Sequence, residues 1–64
     1  MATPTAKDKL RCAERELGYR RVVYPRRVGD GKMRAEEAER QIEIMEAIVE
    51  DYRVIVNQLE PRLF

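Results

Sequence analysis

The second half of this chain carries apolar residues at steps of three and four without a break: Ala35, Ala38, Ile42, Met45, Val49, Tyr52, Val56 and Leu59. That spacing gathers all of them on one side of an α-helix, whereas the two-residue period of a strand would scatter them over both faces. Ile48 and Ile55 widen the stripe on one side. At about 100° per residue, the arc from Ile44 round to Ile42 covers roughly 160°, clearly more than the seam of a two-stranded coiled coil. A helix over about residues 33–59 would be roughly 39 Å long and must lie against other helices. Glu36, Glu37 and Glu39 in its first turns suit the helix dipole, although Asp30 sits early and Lys32, Met33 and Arg34 are weak caps. Pro61 is expected to end it by disfavouring a helical Glu60. Glu39, Glu43, Glu46 and Glu50 form an acidic ridge on the opposite side, and Val54 is a large apolar residue outside the arc.

The first half predicts a second helix over about residues 5–24. Thr5 with Asp8 has the spacing of a capping box, and Thr3 followed by Pro4 is an equally acceptable start. Ala6, Leu10, Ala13, Leu17 and Tyr24 fall in a stripe roughly 40° to 60° wide at 100° per residue. Cys12, Tyr19 and Val23 make a second patch nearly opposite Leu10 and Leu17. Pro25 has no amide hydrogen for the carbonyl of Arg21 and crowds Tyr24, so the helix is expected to kink or stop there. A kinked or turning segment over residues 25–32 follows, with Gly29 and Gly31 supplying positive φ on either side of Asp30.

Sixty-four residues make one small domain, near the lower limit at which a single apolar core holds a fold unaided. The charges are divided unevenly. Residues 7–34 hold ten Lys and Arg against four acids, or +6, and residues 35–64 hold three Arg against eight acids, or −5. Two halves of opposite sign attract, and the expected fold is an all-α, antiparallel two-helix hairpin. The thin stripe of the first helix is too narrow to cover the arc of the second. A second copy, completing a four-helix bundle through Ile42, Ile44, Met45, Ile48, Val49, Tyr52, Ile55 and Val56, is the expected cover, and a different partner helix would satisfy the same surface.

Few constellations carry chemistry. The chain has no His, no Ser, no Trp and one Cys. His-based acid–base pairs, a serine nucleophile and a thiolate zinc site are therefore excluded within a single chain, and no enzyme, metal or cofactor is expected. Gly29-Asp30-Gly31-Lys32 lacks the spacing of a phosphate loop and reads as a turn. The outward glutamates lack the inward aim and His partners of a bundle metal site. Cys12 reads as a small packing residue and Tyr52 as a bundle residue with its hydroxyl at the rim. The run Tyr19-Arg20-Arg21-Val22-Val23-Tyr24-Pro25-Arg26-Arg27 interleaves guanidinium groups with phenols. Arg20, Arg21, Arg26 and Arg27 are thus candidates for a nucleic-acid contact, or for ion pairs with the glutamates of the second helix. A pI near 7.9 is low for a dedicated nucleic-acid binder. No run is apolar enough to span a bilayer, and residues 1–6 lack the basic flank and apolar stretch of a secretory signal, so the expected setting is cytoplasmic.

Three segments together carry a likeness: Cys12-Ala13-Glu14-Arg15-Glu16-Leu17, Arg20-Arg21-Val22-Val23-Tyr24-Pro25 and Ile44-Met45-Glu46-Ala47-Ile48-Val49-Glu50-Asp51-Tyr52. Over residues 10–53 the chain resembles a group of short helical proteins of bacterial genomes, often prophage-associated, whose most specific mark is Val-Tyr-Pro followed by Met-Glu-Ala-Ile. That group often has Thr or Ser near the second helix start, where this chain has Arg34. The resemblance implies a phage-related accessory role and supplies no site residues. The functional expectation is a non-enzymatic helical interaction protein, with a nucleic-acid-associated accessory protein as the alternative. A small regulator of a larger phage or host protein is not separable from the first.

Overall fold

The computed structural model describes residues 2–59 as two helices, α1 (Ala6–Gly29) and α2 (Ala35–Leu59), packed against each other. Among the described residues there is no strand, and no helix is long and apolar enough to cross a membrane. The expected end of the second helix at Pro61 and the short tail 60–64 lie outside the described residues.

Thr5 sets the start of α1. Its amide donates to Asp8 Oδ2 at 3.0 Å and the Asp8 amide donates to Thr5 Oγ1 at 3.1 Å, so both halves of the capping box form and Thr3 is not the cap. The Thr5 amide, and after it the Thr5 side chain, hold the Asp8 carboxyl below its ordinary value of 3.8, because a hydrogen bond donated to the carboxylate favours its ionised form.

Pro25 does not end α1. Of the expected kink or stop, the stop does not occur: the helix continues through Pro25 to Gly29, past the expected end near residue 24 and into the segment 25–32. Pro25 sits in the final turns and is exposed, as is Arg21, so the Arg21 carbonyl that loses its helical partner can turn to water. The turn itself is narrower than expected. Gly29 is helical, and Gly31 alone has positive φ, at 74°. Around it the chain closes a Schellman motif: the Gly31 amide donates to the Val28 carbonyl at 3.0 Å and the Lys32 amide to the Arg27 carbonyl at 2.8 Å.

The core is small. Ala13 and Leu17 of α1 meet Met45 and Val49 of α2, flanked by Leu10 and Ile42, and Ala38 is buried further along α2. Val49 is the best-covered of these, 2% exposed. Ala13 and Ala38 put only methyl groups at the seam. With two helices packed on one another the hairpin is one layer deep, so each helix has one neighbour.

Candidate functional site: an open apolar flank

The two flanks of the hairpin differ. Arg21 Nη2 donates to Glu46 Oε2 at 2.7 Å, and Arg53 Nη2 donates to Glu14 Oε2 at 3.2 Å. Taking Val49 as the centre of the α2 seam, about 100° per residue places Glu46 and Arg53 roughly 40° to 60° to one side. With Leu17 as the centre on α1, Glu14 and Arg21 fall roughly 40° to 60° to the matching side. The two ion pairs therefore close one flank with charge. Both are largely exposed, and each contributes about 0.2–1 kcal/mol.

The other flank is apolar. Tyr52, Ile48, Ile55 and Ile44 lie roughly 60° to 140° to that side of Val49, and Val23, Cys12 and Tyr19 lie roughly 120° to 160° to that side of Leu17. Ile44 and Ile48 remain 37% exposed and Ile55 39%, while Tyr52 and Val23 are half-buried and Tyr19 is exposed. Between the two stripes sit Glu16, Arg20 and Arg27, which make polar contacts of their own. Arg20 Nε donates to Glu16 Oε1 at 3.0 Å and Arg20 Nη1 to the Gln41 carbonyl at 2.9 Å.

The structure divides the residues expected to form a dimer interface. Met45 and Val49 are buried against α1, with Ile42 packed on the same cluster and Val56 half-buried. These four serve the hairpin itself, because the seam of α1 lies directly over them. Ile44, Ile48 and Ile55 keep an open face, and Tyr52 stands at the edge. The open isoleucines are also more than half covered, so the apolar surface left in water is smaller than four free side chains. Fully burying such a side chain is worth about 1.5–3 kcal/mol, and the open two-fifths of three of them amounts to about 2–3 kcal/mol per chain.

The arginine cluster does not converge. At about 100° per residue Arg21 lies on the charged flank, Arg20 and Arg27 on the open one, and Arg26 roughly opposite the seam. Arg20 and Arg27 each stand 5.7 Å from the centre of the Tyr24 ring, and Arg27 Nη2 also donates to the Tyr19 hydroxyl at 3.4 Å. Of the four arginines that were candidates for ion pairs with glutamates of the second helix, Arg21 makes one, with Glu46, whereas Arg20 pairs with Glu16 of its own helix. The signal for this was present, since Glu16 and Arg20 are four residues apart.

Among the described residues no three carboxylates or thiols come together as a metal site. A groove of about 520 Å³ at the open end of the hairpin is lined by Lys7, Arg11, Glu14 and Arg53, with Arg53 already held by Glu14. The chain matches no family model, no curated protein and no solved structure.

Proposed function

We propose that this chain is a non-enzymatic helical interaction protein whose open flank is covered by a second copy, two hairpins forming a four-helix bundle. The observation that carries the reading is the row Ile44, Ile48 and Ile55, each 37–39% exposed on one side of α2 and continued across the hairpin by Val23 and Tyr19.

The free, exposed Cys12 suits a reducing compartment, and we place the dimer in the cytoplasm. A phage-related accessory role is the biological setting suggested by the sequence resemblance. The nucleic-acid reading has less support, because Arg21 and Arg26 lie on other sides than Arg20 and Arg27, and three of the four contact side chains or backbone of the same chain. Light scattering at micromolar concentration tests the proposal. Twice the 7.6 kDa chain mass is expected, and a stable, helical monomer contradicts it.

A further inference from the structure

The two apolar stripes of the open flank match each other in register. The cross-helix ion pairs give the register in which side chains meet: Arg21 reaches Glu46, and Glu14, seven residues earlier, reaches Arg53, seven residues later. In the same side-chain register Cys12 corresponds to Ile55, Tyr19 to Ile48 and Val23 to Ile44. The stripe on α1 therefore steps by seven and then four residues, and the stripe on α2, read backwards, does the same. The helices also carry opposite charge. Within its bounds α1 has eight Lys and Arg against three acids, or +5, and α2 has two Arg against seven acids, or −5.

From these two observations, and resting on the dimer proposed above, we infer that the second copy docks with each α1 lying antiparallel across the partner's α2, about a two-fold axis parallel to the helices. Such an axis keeps every residue at its height, so Cys12, Tyr19 and Val23 meet the partner's Ile55, Ile48 and Ile44 in three layers. It also sets a positive helix against a negative one at every lateral contact, where charge complementarity fixes orientation. An axis across the helices would instead lay α2 on α2. It would bring together two surfaces of charge −5, and with Ile44 facing the partner's Ile55 it would put Ile48 against Asp51. The Glu16–Arg20 pair becomes internal in the inferred arrangement. It is already neutral, and Arg20 also holds the Gln41 carbonyl, while Arg27 on the same flank keeps its contacts with the Tyr24 ring and the Tyr19 hydroxyl.

Disulfide trapping tests the arrangement, since a bond forms only where Cα atoms come within about 7 Å. Unmodified chains, which carry Cys12, are refolded together with chains carrying Cys12→Ala and Ile55→Cys, then oxidised. A second mixture pairs Val23→Cys with Ile44→Cys, both in Cys12→Ala chains, and Ile48→Cys in a Cys12→Ala chain is oxidised alone. The expected result is a disulfide between unlike chains as the main product of both mixtures, with Ile48→Cys left unlinked. Self-linked Ile48→Cys, or no unlike-chain product in either mixture while light scattering still shows a dimer, overturns the arrangement. A single-chain mass for the unmodified protein removes the dimer itself.

Discussion

Replacing Ile48 by Asp puts a charge at the centre of the open flank and leaves the seam residues in place. Ile48 is 37% exposed, and full burial of such a side chain is worth about 1.5–3 kcal/mol, so a covering partner gains about 0.6–1.1 kcal/mol from it. A two-fold interface uses the residue twice. The apolar loss alone is then about 1–2 kcal/mol, a roughly 6- to 40-fold weaker association, since about 1.4 kcal/mol is tenfold. Desolvating two carboxylates adds to this in the same direction. Sedimentation equilibrium over a concentration series reads the change as a shift from two chains to one, and circular dichroism reads whether the hairpin remains helical. Ile48→Gln, neutral and compatible with a helix, separates the interface effect if the aspartate unfolds the chain. Association of both variants as tight as that of the parent refutes the reasoning. Glu43→Ala is the control: its side chain is largely exposed, with Arg40 3.4 Å away, and the expected change is within about 0.5 kcal/mol.

Leu17→Ala, at the centre of the small core, should destabilise the fold by about 2–5 kcal/mol in urea unfolding, enough to leave so small a domain largely unfolded. Gly31→Ala should cost about 1–2 kcal/mol from its φ of 74° alone, because no atom lies within 4 Å of the added methyl group. Gly18→Ala, with the same open space inside a helix, should stabilise by about 0.5–1 kcal/mol, and thermal melts of the two variants should move in opposite directions. The Asp8 carboxyl is held below its ordinary 3.8, so its stabilisation of the first turn is complete above that pH and is lost as pH falls through the lower folded value. Amide exchange at the start of α1 should accelerate over that acid range, and Thr5→Ala, which removes the side-chain cap but keeps the backbone amide, should reduce the effect without abolishing it, at a cost of about 1 kcal/mol.

The residues that reveal most in the sequence are those whose role is local or periodic. Thr5 with Asp8 gives the start of α1, and the steps of three and four from Ala38 to Val56 give the face that packs. Pro25 was misleading because its penalty depends on how much helix follows it and on whether the freed carbonyl reaches water. Here one further turn follows and the site is exposed, so the helix carries on. Gly29 misled for a related reason, since a Schellman closure needs positive φ at one residue and Gly31 supplies it. Helical periodicity alone does not say which edge of a wide arc the first helix will take. The ion pairs Arg21–Glu46 and Glu14–Arg53 decide that, and pairs of exposed side chains on different helices leave no spacing to read. For this reason Met45 and Val49 were not separable in advance from Ile44, Ile48 and Ile55, and the arginine run could not be sorted by direction.

The most direct measurement is an isotope-filtered NOE experiment on a mixture of chains labelled at the isoleucine and valine methyl groups and unlabelled chains. Cross-peaks between chains at Ile44, Ile48 and Ile55, and none at the buried Val49, are the predicted result. Isoleucine methyl groups that show contacts only within their own chain and with water, in a sample of single-chain mass, would contradict the account.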